Sequence, residues 1–343
     1  MAILPNPAVA TSAAYAVSKH GAPIDLKLDA NEGAPPPAAL LAMLTDPELM
    51  RRYPDARGLE AKLAMRLGVT RDRVLATCGA DDALDRACRA FLWRGRELIL
   101  PVPTFEMLPR FAALLGATAR EIPWPSGPFP LEAVLRSVNE NTAAIAVVSP
   151  NNPTGAVVTR AELQRLAAGA PDVVLLVDLA YAEYADEDLT ATALALPNAI
   201  VFRTLSKAWG MAGLRVGYGV ARAEVTDLLN RVRQPFNVNN LALAGAVAAL
   251  DDHLFLAESY ESNRRGMEQI IAGLKRLGLE HIPSHGNFVT FELTDAATVN
   301  GKLLKQGVIV RPFGGYGMPN HLRVTIGLEA ENLRFLEALQ QSL

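Results

Sequence analysis

The feature that most restricts this chain is a series of short apolar runs with no alternation of polar residues. Val74 to Thr77, Glu97 to Leu100, Ala143 to Val148, Val173 to Val177, Ile200 to Thr204 and Val216 to Val220 are of this kind. A strand with one solvated face alternates with period two, so runs without that period suit strands buried on both faces of a parallel or mixed sheet. Helical patterns separate several of them, as at Asp81 to Phe91, Thr159 to Ala168 and Ala223 to Val232. Strand and helix in this alternation predict an α/β fold, a three-layer sandwich around a mostly parallel sheet.

The chain has 343 residues, room for such a sandwich and a second unit. Pro35, Pro36 and Pro37 close an opening segment, so residues 1–35 are expected to form an N-terminal arm, and 36–240 the large domain. From Leu241 a long helical pattern gives way to short strands at Asn287 to Glu292 and Leu322 to Gly327. This predicts a smaller α+β C-terminal domain over 241–343, with the arm packed against it.

Charge excludes some partners. Lys plus Arg number 33 and Asp plus Glu 36, a net charge of −3, so no basic surface for nucleic acid or an anionic membrane is expected. Any bound anion must be held by a local cluster. Cys78 and Cys88 are too few for a disulfide framework and lack metal-ligand spacing, so no metal is expected. The first residues do not read as a signal peptide, and the longest apolar run, Leu241 to Leu250, is about half of the ~20 residues that a bilayer requires. A cytoplasmic protein is the expectation.

In open α/β sheets ligands bind beyond the carboxyl ends of the strands, so the residues following each run carry the functional information. Val74 to Thr77 leads into Gly79-Ala80-Asp81, a glycine turn opening a helix whose N–H groups could hold a phosphate. Ala143 to Val148 leads into Ser149-Pro-Asn-Asn-Pro-Thr-Gly155, which presents Asn152. Val173 to Val177 ends at Asp178 with Tyr181 beyond it, and Ile200 to Thr204 leads into Ser206, Lys207 and then Arg215. Singly these are an N-cap, a plain turn, a strand-end acid that elsewhere ligates magnesium, and a surface lysine. Together they match the needs of pyridoxal phosphate: a lysine, an acid for the pyridinium, an amide and a phenol for the ring hydroxyl, and a helix end plus arginine for the phosphate.

The strings Ser149-Pro-Asn-Asn-Pro-Thr-Gly155 and Thr204-Leu-Ser-Lys-Ala-Trp-Gly-Met-Ala-Gly-Leu-Arg-Val-Gly-Tyr218 resemble the signatures of fold-type I pyridoxal-phosphate aminotransferases, most closely the histidinol-phosphate aminotransferases. Leu28-Asp-Ala-Asn-Glu32, Arg52-Tyr-Pro-Asp55, Pro103-Thr-Phe105 and the segment from Val310 to Gly327 follow in the family's order. The resemblance covers nearly the whole chain.

It implies that Lys207 bonds the cofactor and moves the substrate proton, that Asp178 pairs with the pyridine nitrogen, and that Asn152 and Tyr181 hydrogen-bond the ring oxygen. Phe105 is implied to stack on the ring. Gly79, Ala80, Asp81, Thr204, Ser206 and Arg215 are implied to hold the phosphate. Arg323 and Arg311 would bind substrate anions, aided by Asn31 and by Tyr15 from the arm. Tyr53 would reach the neighbouring active site of a homodimer.

The implied reaction is transamination of histidinol phosphate with 2-oxoglutarate, a step of histidine biosynthesis. The alternatives are an aromatic amino acid aminotransferase and a threonine-phosphate decarboxylase-like lyase. Three places depart from the family pattern: Gly33-Ala34 replaces Asn-Pro, Leu179 replaces an acidic residue, and Leu108 replaces an aromatic. All three are expected near the substrate side chain. No G-x-x-x-x-G-K-[ST] occurs, which disfavours a nucleotide enzyme.

Overall fold

The computed structural model describes residues 7–10, 23–37, 40 and 45–343. Among these, the strands are β1 (Leu26–Lys27), β2 (Val74–Thr77), β3 (Glu97–Val102), β4 (Thr118–Pro123), β5 (Thr142–Val148), β6 (Val174–Asp178), β7 (Ala199–Thr204), β8 (Gly217–Val220), β9 (His281–Ile282), β10 (Phe288–Glu292), β11 (Val308–Ile309), β12 (Arg311–Pro312) and β13 (His321–Thr325). Seven form one sheet in the order β2-β8-β7-β6-β5-β3-β4. Neighbours are parallel except that β8 runs against both β2 and β7.

The missing alternation has its cause in two cores. All seven residues of β5 are buried. Ile145 and Val147 of β5, with Leu175 and Val177 of β6, face a core that includes Leu163 and Leu166 of the helix Arg160–Gly169. Ala144, Ala146 and Val148, with Leu176 and Phe202, face a second core that includes Leu84 of the helix Gly79–Phe91 and Phe111 of the helix Met107–Leu114. Successive side chains point to opposite faces, so both parities must be apolar when helices cover both faces. Each fully buried Val, Leu or Ile contributes about 1.5–3 kcal/mol. The three-layer α/β sandwich follows from that burial.

β4 does not follow the rule, and the sequence reading passed over it. It is an edge strand paired only with β3, and only Ile122 of its six residues is buried. Arg120 spends its charge on Glu97 of β3 at 2.7 Å.

A third core lies under the four-stranded sheet β12-β13-β10-β9, built from Val289, Phe291, Leu322 and Val324 against Ile270 and Leu274 of the helix His253–Arg276 and Phe335 and Leu339 of the helix Glu329–Ser342. Leu26 and Leu28 join this core, and β1 pairs in parallel with β11. The described end of the arm is therefore fastened to the C-terminal part of the chain. No single described helix is long and apolar enough to cross a membrane.

Backbone contact fastens the segment after Leu28 to the lysine-bearing loop. A Cβ built on Gly33 would lie 1.9 Å from the carbonyl oxygen of Lys207, and one on Gly210 would lie 2.1 Å from that of Ala34. Backbone atoms cannot yield as a flexible side chain can. Gly33→Ala is expected to lower stability by about 1–3 kcal/mol, the usual range for overpacking, and to weaken retention of any ligand bound at Lys207. Thermal unfolding and ligand titration check both effects.

Candidate active site

A cavity of about 530 Å³ opens where the carboxyl ends of β5, β6 and β7 meet residues 29–31 and strands β12 and β13. It is lined by Asn31, Ala80, Asp81, Phe105, Asn152, Asp178, Tyr181, Thr204, Ser206, Lys207, Arg215, Arg311 and Arg323, all singled out in the sequence. Topology explains the convergence for those that follow parallel strands. Arg215 instead precedes β8, and it reaches the same edge because β8 is reversed: Gly217 is in register with Thr77 of β2 and Thr204 of β7.

Asp178 ends a central strand and is 5% exposed. Its Oδ1 accepts a hydrogen bond from the Ala180 N–H at 3.0 Å. Burial pushes its carboxyl up to about 7, with the Asp81 charge adding to the rise and the Ala180 hydrogen bond and Lys207 opposing it. Such an acid lacks a close cation. A protonated pyridine nitrogen is a partner of the right kind.

The Lys207 amine donates to the carbonyl of Ala30 at 2.8 Å and stands 5.6 Å from the centre of the Tyr181 ring. Burial pushes it down to about 8, helped by Arg323 and Arg215 and opposed by Asp81 and Glu32. About a tenth of the amine is therefore in the neutral, nucleophilic form at pH 7, far more than an ordinary lysine supplies. Tyr181 accepts a hydrogen bond from Asn31 Nδ2 at 3.0 Å, and burial pushes its hydroxyl up to about 12, which keeps it a donor. Asn31 takes a left-handed backbone, φ 52°, and its own N–H donates to Thr325 Oγ1 at 2.9 Å. Asn tolerates that conformation better than most residues.

At the other end of the cavity the donors suit an oxyanion. Arg215 donates to Ser206 Oγ at 3.3 Å and stands 3.4 Å from Asp81 Oδ2, and Thr204 Oγ1 is 2.9 Å from Ser206 Oγ. Gly79, φ +78°, does not line the cavity itself, but a Cβ there would sit 2.7 Å from the Arg215 guanidinium. The helix Gly79–Phe91 starts two residues earlier than its pattern indicated. Asp82 secures it by accepting from the Cys78 N–H at 2.8 Å and pairing with the fully buried Arg86 at 2.6 Å. Its first free N–H groups then face the cavity with the positive end of the dipole.

Arg323 is 5% exposed between the rings of Phe288 and Phe313, at 5.2 and 5.3 Å. It donates to the carbonyl of Asp29 at 2.7 Å and to Asn152 Oδ1, while its Nε is buried with no hydrogen-bond partner among the described residues. Its guanidinium lines the cavity and has no carboxylate partner among the described residues, which suits a ligand carboxylate.

One other sequence expectation falls elsewhere. Tyr53 lies outside this cavity, 81% exposed and stacked on the exposed Phe236 at 4.6 Å. Tyr15 lies outside the described residues. The departures are also placed differently from the expectation: Leu108 and Leu179 are buried in the cores on opposite faces of the sheet, and Gly33 abuts the Lys207 backbone. None of the three lines the cavity.

The sequence reading gave no role to the Asp29 and Ala30 carbonyls, Met107, Phe313 or Tyr316, which the structure adds to the wall. The carbonyls leave no mark in a sequence. Tyr316, an aromatic within Gly314-Gly315-Tyr316-Gly317, was the visible signal.

Comparison with known proteins agrees with this geometry. The family model for aminotransferase class I and II matches residues 23–339. Histidinol-phosphate aminotransferase 1 of Dechloromonas aromatica is 54% identical over 299 residues, 86% of this chain and 83% of that one. Histidinol-phosphate aminotransferase 2 of Nitrosospira multiformis is 43% identical over 328 residues, 93% of this chain and 84% of that one. The crystal structure of histidinol-phosphate aminotransferase from Sinorhizobium meliloti, in complex with pyridoxal-5'-phosphate, superposes with a TM-score of 0.91 at 25% identity, covering 98% of this chain and 96% of that one. The family match spans both the lysine-bearing sheet and the arginine-bearing one: this chain belongs to the class I and II aminotransferases.

Proposed function

We propose that this enzyme uses pyridoxal phosphate to transfer the amino group of histidinol phosphate to 2-oxoglutarate, giving imidazole acetol phosphate and glutamate in histidine biosynthesis. The observation that carries the reading is one cavity holding a lysine of lowered pKa, a buried acid and two arginines on adjacent strands. The names and 43–54% identities of the relatives support the choice of substrate.

The cofactor, when bound, supplies an electron sink for the negative charge that develops at the substrate α-carbon. Asp178 would hold a proton at the ring nitrogen, and Tyr181 and Asn152 would donate to the ring oxygen. Phe105 would cover the ring face. Arg215, Ser206, Thr204 and the Gly79–Asp81 turn would bind the phosphate. Lys207 would take the proton from the α-carbon and return it one atom along. Arg323 would bind the carboxylate of glutamate, and Arg311 would bind the second anion.

The assembly we propose is a homodimer in which Tyr53 serves the neighbouring cavity; the exposed Tyr53–Phe236 pair supports a covering partner there. The division into arm, large domain to residue 240 and small domain is part of the same reading, supported by separate cores. So is a cytoplasmic location.

The test is a donor panel with 2-oxoglutarate and the holoenzyme. Histidinol phosphate is expected to yield glutamate at a kcat/KM at least about tenfold above phenylalanine, tyrosine and histidine, since a buried charged contact discriminates by more than one decade. Glutamate from phenylalanine but not from histidinol phosphate would move the assignment to an aromatic aminotransferase. Carbon dioxide release from threonine phosphate without glutamate would make the enzyme a lyase.

A further inference from the structure

Arg311 and Arg323 stand directly opposite each other on the antiparallel strands β12 and β13. Like charges in that position repel, so each gains from an anion. Arg323 has no carboxylate within ion-pair distance among the described residues, and it donates only to the neutral oxygens of Asp29 and Asn152. Arg311 is served from within the chain. Its Nη2 lies 3.3 Å from Glu106 Oε1, with both side chains largely buried at 16% and 17% exposure.

Glu106 is firmly held. Its other oxygen faces Arg110 at 3.4 Å, and Glu106 and Arg311 both act on the Tyr316 hydroxyl, which burial pushes up to about 12. It also precedes the helix Met107–Leu114, where the dipole favours negative charge. Its neighbours Phe105 and Met107 line the cavity, as do Arg311 and Tyr316. The Glu106 carboxylate thus occupies the arginine at the rim of the ligand space.

We propose that Glu106 is a specificity-determining residue, an internal counter-anion that a ligand's distal anionic group must displace or share in order to use Arg311. This rests on the reading of Arg311 as the distal anion site. Arg323, with no internal carboxylate partner among the described residues, binds any ligand carboxylate; Arg311 responds only to ligands whose second anion competes with Glu106. The residue weakens doubly anionic ligands against singly anionic ones. An enzyme that must release one anionic ligand before admitting the next gains from that, because uniform tight binding adds nothing to turnover.

The experiment compares glutarate with pentanoate, which differ by the distal carboxylate, as dead-end ligands titrated into the holoenzyme and followed by its visible absorbance. Glu106→Gln and, in parallel, Glu106→Ala are expected to bind glutarate about tenfold tighter than wild type, the scale of one charge-assisted contact, with pentanoate within about twofold. Arg311→Gln is the control. If it leaves the wild-type preference for glutarate intact, Arg311 is not the distal site. If it removes that preference while both Glu106 variants bind glutarate no tighter, or tighten both ligands equally, the role of Glu106 alone is overturned. Neither readout depends on which amino donor the enzyme uses.

Discussion

Lys207→Ala is expected to lower kcat by about 10⁴-fold or more, the upper end of what a positioned proton-transfer group contributes, and to remove the visible absorbance of the wild-type holoenzyme. Both roles proposed for Lys207 would be lost at once: covalent attachment of the cofactor and proton movement at the substrate carbon. The fold has little reason to change. Lys207 makes one hydrogen bond, to the Ala30 carbonyl, whose loss costs about 1 kcal/mol. Circular dichroism should match wild type, and because burial of the Lys207 charge costs stability below about pH 8, the unfolding temperature of the cofactor-free variant should not fall below that of cofactor-free wild type.

The amine's pKa of about 8 adds a pH signature. Because the nucleophile is the neutral amine, the rate at which cofactor-free wild type captures added cofactor should rise with pH and level off above about 8. A colourless wild type that captures no cofactor, or an alanine variant of undiminished rate, would overturn the assignment of Lys207.

Asp178→Asn is expected to raise stability without cofactor while it lowers kcat by about 10³-fold, the scale set by removal of one electrostatic stabiliser. Burial lifts the Asp178 carboxyl from 3.8 to about 7. Between those values the folded protein binds more protons than the unfolded one, so its stability falls as pH rises from about 4 to about 7 and stays lowered above that. Asparagine has no charge to bury. The variant should therefore lack this pH dependence and, at pH 8, unfold at a higher temperature than cofactor-free wild type.

Activity should move the other way, because a neutral amide does not hold a proton at the ring nitrogen. Thermal melts of cofactor-free protein at pH 5 and pH 8, beside kcat of the holoenzymes, give both readouts. A variant destabilised at pH 8, or one with wild-type kcat, would sink the reading.

The six runs read from the sequence became strands with ends within two residues, because burial on both faces demands unbroken apolar chemistry that a sequence shows directly. β4 was missed for the complementary reason: at the edge only Ile122 is buried, so Thr118–Pro123 carries Arg120 and Glu121 and reads as a loop. Two strands of the separate sheet were anticipated, at Asn287 to Glu292 and Leu322 to Gly327, where the structure has Phe288–Glu292 and His321–Thr325. The pairing of β1 with β11 was not, since a two-residue strand has no pattern to read.

The sequence by itself determined the chemistry. A lysine, an acid, an amide and a phenol follow strand ends, and parallel topology brings such ends to one edge whatever the loops do. Tertiary structure alone decided how they are tuned. The reversal of β8 carries Arg215 to the same edge, the Asp29 and Ala30 carbonyls bind Arg323 and Lys207, and the β12–β13 register sets Arg311 against Arg323 with Glu106 between helix and strand. These contacts join residues far apart in the chain, several through backbone atoms that every residue shares. Side-chain identity cannot announce them, and only the folded path of the chain sets their distances and hence the burial that shifts Lys207 and Asp178.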